Sequence, residues 1–568
     1  MKSIRNILLS IGLTAMSAGM LSSCVDDLNV EPSDPSTITY GSFSDDPEGY
    51  MTRVMADIYL SFCTFGPNGN SQVDKFDGGM STFQRAIFNL EELASDEACW
   101  LSTSDAPMYV LSFGNPTADN RAVFGAYSRL MINVALCNQF IQTVNAGQFY
   151  LNTPELKAKG DEFIRQALTL RSACYFYLIN FFGDALYADE NVPMNGVMPQ
   201  LPRAEIFNLV TSTLEEVVAQ YDENPVATPY GYVGKDLAEG LLVKFYLNAE
   251  VFTGTPMWNE CFQAAQKLIA EHRGTGFSSE NVPNSGLAYH YLQNFAANND
   301  EIAVGGANPV NEILWVLPEE YPHLQSYGGA SLMLLGWISP DLAGSYYNAG
   351  NGWRCMLART QFSKKMEWGD DSYSWSYDER LQNWQTSANI SNATLGEHFS
   401  IENPTLNQAD WGQNGYLAVK FRNLNMDDNG VYDFANPAPY DGDGYVSCDY
   451  PMLRLSEIYL SAAEAALNGG GDRQTALDYV NLIRERAGLD PWEMADLTLD
   501  NFQDERCREL YTECTRRTDL IRYGKWISGY NWNWKAGAPL GTNFNSNFVL
   551  YPFPPEVISA GYKQNTGY

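Results

Sequence analysis

Apolar residues recur every third or fourth position through several long stretches, the pattern of helices with one buried face. Residues 161–182 keep this period and stop at Gly183, suited to the left-handed turn that closes a helix. Pro202-Arg203-Ala204-Glu205 opens the next, 203–221. Proline fits a first helical turn, and a carboxylate suits the positive end of the helix. In 236–251, Leu237, Leu241, Leu242, Phe245 and Tyr246 share one broad face; in 258–272, Cys261, Ala264, Ala265, Leu268 and Ile269 do. Residues 453–467 and 474–487 are joined by Gly469-Gly470-Gly471-Asp472. Segments 47–62 and 121–144 read as a further, split pair. The last two contiguous pairs each span about 35 residues, close to the tetratricopeptide period of about 34. The expectation is a mainly α fold, with four tetratricopeptide-like helix pairs forming a superhelical scaffold.

Between 274 and 450 the periodicity stops. Gly, Asn, Asp, Pro, Trp and Tyr dominate, and only 314–317 and 416–421 read as short strands. Long irregular stretches in a folded protein are usually binding loops. This region, with segment 65–118, is expected to pack on the scaffold as a loop-rich ligand-binding part.

The N-terminus sets the address. Lys2 and Arg5 precede an apolar run, 7–20, of about 14 residues, shorter than the ~20 that span a bilayer. Leu21-Ser22-Ser23-Cys24 resembles a bacterial lipoprotein box, which makes 1–23 a signal peptide and Cys24 the lipidated first residue. Segment 24–40 holds Asp26, Asp27, Glu31, Pro32, Asp34 and Pro35 and reads as a tether. Acidic residues directly after that cysteine resemble the export signal of Bacteroidetes surface lipoproteins. Residues 41–568 are then expected to be one domain on the outer membrane's cell-surface side.

The net charge of −33 argues against nucleic acid and anionic membranes, which need Lys and Arg. Of ten cysteines, setting Cys24 aside leaves an odd number and no CxxC. One or two disulfides stay open, but a disulfide scaffold is not indicated. His272, His290, His323 and His398 form no HExxH, and GxSxG, P-loop and GxGxxG motifs are missing. No catalytic or metal residue is assigned and no cofactor is expected. Asp441-Gly442-Asp443-Gly444, near Asp449, leaves structural calcium open beside a plain solvated turn. The remaining signal is aromatic. Thirteen Trp and 34 Tyr include Trp100, Tyr327, Trp337, Trp353, Trp368, Trp375, Trp384 and Trp411 in loop-like settings. Such rings offer an apolar face to the C–H face of a sugar, or else fill core beneath loops.

Three stretches together resemble the SusD/RagB family of surface lipoproteins. They are 163–184, with Arg165, Arg171 and Gly183-Asp184; 450–465, with Arg454, Glu457 and Glu464; and 505–526, with Glu505-Arg506, Glu509, Arg516-Arg517 and Asp519. The tail around Tyr551-Pro552-Phe553-Pro554-Pro555 also fits. The residues themselves read as scaffold ion pairs, Arg454, Glu457, Arg517 and Asp519 among them. The resemblance implies a non-enzymatic protein that passes glycans to a SusC-like TonB-dependent transporter. It is nearest the starch-binding branch. There it implies Trp100, Tyr327 and Trp353 as stacking platforms and Arg85 as a hydroxyl contact. One departure is Ser102, where that branch carries a second Trp. Peptide binding of the RagB type and glycoside hydrolysis are the alternatives.

Overall fold

A computed structural model describes residues 43–66, 71–73, 76–193, 196–274, 282–302, 304, 312–366, 378–384, 416–442 and 444–568. The signal peptide, Cys24 and the tether lie outside the described residues, as do His398, Trp368, Trp375, Trp411 and Asp443.

The scaffold begins with α1 (Pro47–Cys63), where the Asp46 carboxylate accepts the Gly49 N–H at 3.0 Å and Pro47 fills the first turn. Then come α2 (Phe83–Glu91), α3 (Arg121–Asn145), α4 (Pro154–Phe182), α5 (Arg203–Glu223), α6 (Lys235–Leu247) and α7 (Trp258–His272). After the loop-rich part, which carries α8 (Gly329–Leu335), follow α9 (Leu455–Ala465), α10 (Arg473–Arg486), α11 (Leu499–Leu510) and α12 (Arg516–Arg522). Most of the scaffold helices pack in succession: α3 on α4, α4 on α5, α5 on α6, α6 on α7, α7 on α9, and α9 on α10, with α1 against α3. The mainly helical expectation holds, and every expected pair is in contact.

The boundaries differ where tertiary structure intervenes. Helix α4 starts at Pro154, seven residues before the expected 161, because the Thr153 hydroxyl caps the Leu156 N–H. The expected 236–251 helix breaks at Asn248, whose side chain returns to the Lys244 carbonyl. The expected 453–467 helix begins as a strand, because the extended stretch Tyr450–Arg454 runs straight into α9.

Three two-stranded antiparallel ribbons tie loops to scaffold. β1 (Ala98–Trp100) pairs with β5 (Met356–Ala358), β2 (Ala185–Leu186) with β3 (Gln200–Leu201), and β4 (Ile313–Leu317) with β6 (Tyr450–Arg454). The expected 314–317 strand is β4. The expected 416–421 strand is not regular. There Lys420 turns inward and donates to the Tyr511 carbonyl and the Glu513 carboxylate, an anchor that replaces strand pairing. One hydrophobic core runs from Phe43 to Val557 and joins scaffold residues such as Phe176 to loop residues such as Leu332 and Trp384.

Ion pairs sit beneath α9–α12. Arg454 is fully buried between Glu312, Glu509 and Glu513; Glu457 meets Lys244 at 2.6 Å; Asp519 meets Arg506 and Arg522. Arg517 departs from the expected ion pair. It lies over the Tyr551 ring at 4.4 Å and donates to the Val549 carbonyl. The nine cysteines from Cys63 to Cys514 are free and buried, so the open disulfides do not form. No described helix is long and apolar enough to cross a membrane.

Candidate functional site

Helix α2 is buried at every position, so its polar side chains must find partners inside the protein. Two consecutive ones clamp the loop before α8. Gln84 Oε1 accepts the Gly329 N–H at 2.8 Å, and Arg85 Nη1 donates to the Tyr327 carbonyl at 3.0 Å. Gly329 has φ +51, and a Cβ there would fall 1.7 Å from Glu319 Oε1. The clamp fixes Tyr327 over Gly79, where a Cβ would meet the Tyr327 Cβ at 3.0 Å.

The other wall comes from the ribbon. Trp100 ends β1 opposite Met356, and the Leu101 N–H bonds to the Cys355 carbonyl at 2.8 Å. Two residues earlier, the Trp353 N–H bonds to the Leu335 carbonyl at the end of α8. The Trp353 ring thus stands 6.0 Å from that of Tyr327, tilted by 57°. Tyr327 also stacks on Tyr445, centroids 4.6 Å apart.

These elements enclose a cleft of about 390 Å³ whose lining includes Arg85, Trp100, Tyr327 and Trp353. All four residues expected at the site therefore line one cavity, although they come from four separate segments. Their exposures differ. Tyr327 and Trp353 are half-buried, whereas Trp100 is 2% exposed. Trp100 lies beneath the Arg85 guanidinium at 5.5 Å, and its indole N–H donates to Asp105 at 3.2 Å. As an open stacking platform Trp100 departs from expectation. It is the floor of the cleft, because Arg85 covers its ring. The other loop tryptophans inside the described residues, Trp337 and Trp384, are core.

Arg85 has an unusual electrostatic setting. It is 6% exposed, makes the single hydrogen bond to Tyr327, and has a buried Nε without a partner among the described residues. Burial pushes its pKa below the ordinary arginine value, and Cys355, Asp77 and Asp105 offset this only in part. A buried guanidinium with spare donors is a ready partner for an incoming acceptor.

Asp77, Asp105, Ser102 and Tyr445 complete the surroundings, and the sequence did not single them out as contacts. In the sequence Tyr445 directly follows Gly442-Asp443-Gly444, the stretch that leaves calcium open. There Asp441 Oδ1 accepts the Gly444 and Tyr445 N–H groups, and Asp449 accepts from Tyr230 and the Glu319 N–H. Those oxygens serve the turn and its neighbours. The described acidic cluster with ligand-like spacing, Asp222, Glu239 and Glu271, is already bridged by Lys235 and Lys267.

Comparison with known proteins agrees with the motif reading. Residues 319–568 match the profile of the SusD family. Across 99% of its length the chain is 27% identical to the starch-binding protein SusD of Bacteroides thetaiotaomicron, covering 98% of that protein. A SusD-like protein of Bacteroides ovatus is 23% identical over 74% of the chain and 70% of its own length. Among solved structures, surface glycan-binding protein A of Bacteroides thetaiotaomicron in complex with laminarihexaose superposes with a TM-score of 0.63 at 19% identity. That match covers 91% of this chain and 99% of the other. The family profile thus covers residues 319–568, and the likeness to SusD itself runs over nearly the whole chain.

Proposed function

We propose that this chain is a non-enzymatic, cell-surface glycan-binding lipoprotein that captures oligo- or polysaccharide and hands it to a SusC-like TonB-dependent transporter. One observation carries the reading. The cleft gathers the half-buried rings of Tyr327 and Trp353 around a guanidinium with unused donors. A sugar's C–H face packs on the rings and buries apolar area. Its hydroxyls accept from Arg85 and donate to Asp77 and Asp105, which line the same cavity. Few polar contacts on a half-open surface imply modest affinity, on the order of micromolar to millimolar. The starch-binding relative and the laminarihexaose-bound neighbour support a glycan as the ligand class. The Cys24 box supports lipid anchoring, which palmitate labelling of the mature chain tests.

The deciding experiment is calorimetry of the lipid-free chain against starch, laminarin, levan, inulin, xylan and mannan. At least one glycan is expected to bind, and Trp353→Ala to abolish that binding without moving the melting temperature. Wild-type titration curves from Trp353→Ala overturn the site. Binding to none of the glycans, with peptides recovered from the purified protein, favours the RagB-type alternative. Reducing ends released by catalytic amounts of protein favour a hydrolase.

A further inference from the structure

The Tyr327–Tyr445 stack is a wall with a cavity on each side. Tyr327 lines the cleft just described, and Tyr445 lines a second groove of about 560 Å³. The groove lies between the C-terminal half of α1 and residues 322–325, with Leu136 of α3 at its edge. Its chemistry is mixed. Leu60, 42% exposed, and Leu136 are apolar, while His323 and Gln325 are polar. Neither His323 nor Gln325 makes a hydrogen bond or ion pair among the described residues, and both line the groove. Ser61 and Gln72 differ. They bond to each other at 3.0 Å and belong to the network around Arg129. One side of the groove is therefore satisfied framework, and the other presents an unused imidazole and an unused amide.

We propose that this groove is a continuation subsite, which takes sugar units of the same neutral glycan chain beyond those held in the aromatic cleft. The inference rests on the glycan-binding reading above. A chain leaving the cleft past Tyr327 meets Tyr445 next, because the two rings are in contact. There the groove offers a second aromatic face beside hydrogen-bonding groups, the His323 imidazole and the Gln325 amide among them. Amide and imidazole groups donate and accept, which suits a hydroxyl. A volume of about 560 Å³ lies within the usual range for a ligand-holding cavity. The cleft of about 390 Å³ is near the lower end of that range, so longer chains must extend past it.

The test is calorimetry of the lipid-free full chain with malto-, laminari- and xylo-oligosaccharides from two to six units, using the double variant His323→Ala/Gln325→Ala. In the series that binds, wild-type affinity is expected to rise with length. The double variant is expected to lose about five- to tenfold on the hexasaccharide and nothing on the shortest sugar that binds, with an unchanged melting temperature. Wild-type affinity of the double variant at every length overturns the subsite and leaves the cleft standing, which Trp353→Ala checks in parallel. Equal losses at all lengths also overturn it. No binding by the wild-type chain to these series or to the six polysaccharides overturns both readings.

Discussion

Arg454 and Arg85 are both nearly sealed from water, yet their surroundings are opposites. Beneath the scaffold, Arg454 is fully buried and donates to three carboxylates, Glu312, Glu509 and Glu513, two of its bonds being 2.7 Å to Glu513. In the cleft, Arg85 donates to one backbone carbonyl and keeps an unpartnered buried Nε. The pKa directions follow. Burial alone lowers an arginine, but the carboxylates around Arg454 outweigh it and hold its pKa well above the usual value, whereas Arg85 stays below it. A charge fully matched inside the protein has nothing left to give a ligand. A charge left short of partners costs folding energy, and a ligand can supply what is missing.

The same substitution at both positions breaks the comparison most directly. Arg454→Met takes the shared central partner from three buried carboxylates and leaves Lys420 and Arg486 to hold them, and stability should fall by about 3–5 kcal/mol in urea unfolding. Arg85→Met removes a poorly compensated charge and one hydrogen bond, so stability should move by no more than about 1 kcal/mol. Affinity for the bound glycan should drop about tenfold, as loss of a charge-assisted hydrogen bond implies. Equal stability losses at the two sites would erase the distinction between scaffold and cleft.

Acid should find the scaffold next. Burial raises the Glu505 carboxyl, but Arg380, Arg508 and Arg484 outweigh that and hold its pKa down to about 2, against an ordinary 4.5. Below its unfolded value the unfolded chain takes up the proton first, so stability present above pH 4.5 is lost as pH falls toward 2. At about 1.4 kcal/mol per unit this amounts to about 3 kcal/mol. Unfolding curves at successive pH values should show that slope, and Glu505→Gln should flatten it. No change in slope would mean that the arginines do not hold this carboxyl down.

The contrast also shows what sequence carries. Helices with one wet face, α5 and α7, stand within two residues of their expected ends, because their apolar period is visible. Helix α2, which carries Arg85, does repeat apolar residues at Phe83, Ala86, Ile87 and Leu90, but it is only nine residues long, and the burial of its polar positions is set by the loops packed over them. The first two turns of α4 hide for a different reason. They are mostly polar, and only the Thr153-Pro154-Glu155 cap marks them. At the site, family-like motifs located Arg85, Trp100, Tyr327 and Trp353. They place Trp100 among the stacking platforms, whereas it is the floor, since residue type does not tell a floor from a platform. That depends on what lies above, and for Trp100 it is an arginine from a different segment.

Trp100 therefore belongs to both regions, and Trp100→Phe asks which claims it. Its indole N–H is engaged with Asp105, its backbone N–H bonds to the Ser112 hydroxyl, and its ring is under Arg85. Phenylalanine keeps the strand and most of the apolar contact but loses one hydrogen bond and some volume. The expected stability loss is about 1 kcal/mol, read as a small fall in melting temperature. Because the ring is 2% exposed, a sugar resting on Tyr327 and Trp353 touches little of it, so glycan affinity should change less than about threefold. A larger loss of affinity with unchanged stability would mean that Arg85 swings aside on binding and bares the indole. Trp100 would then be a stacking platform that the ligand itself uncovers.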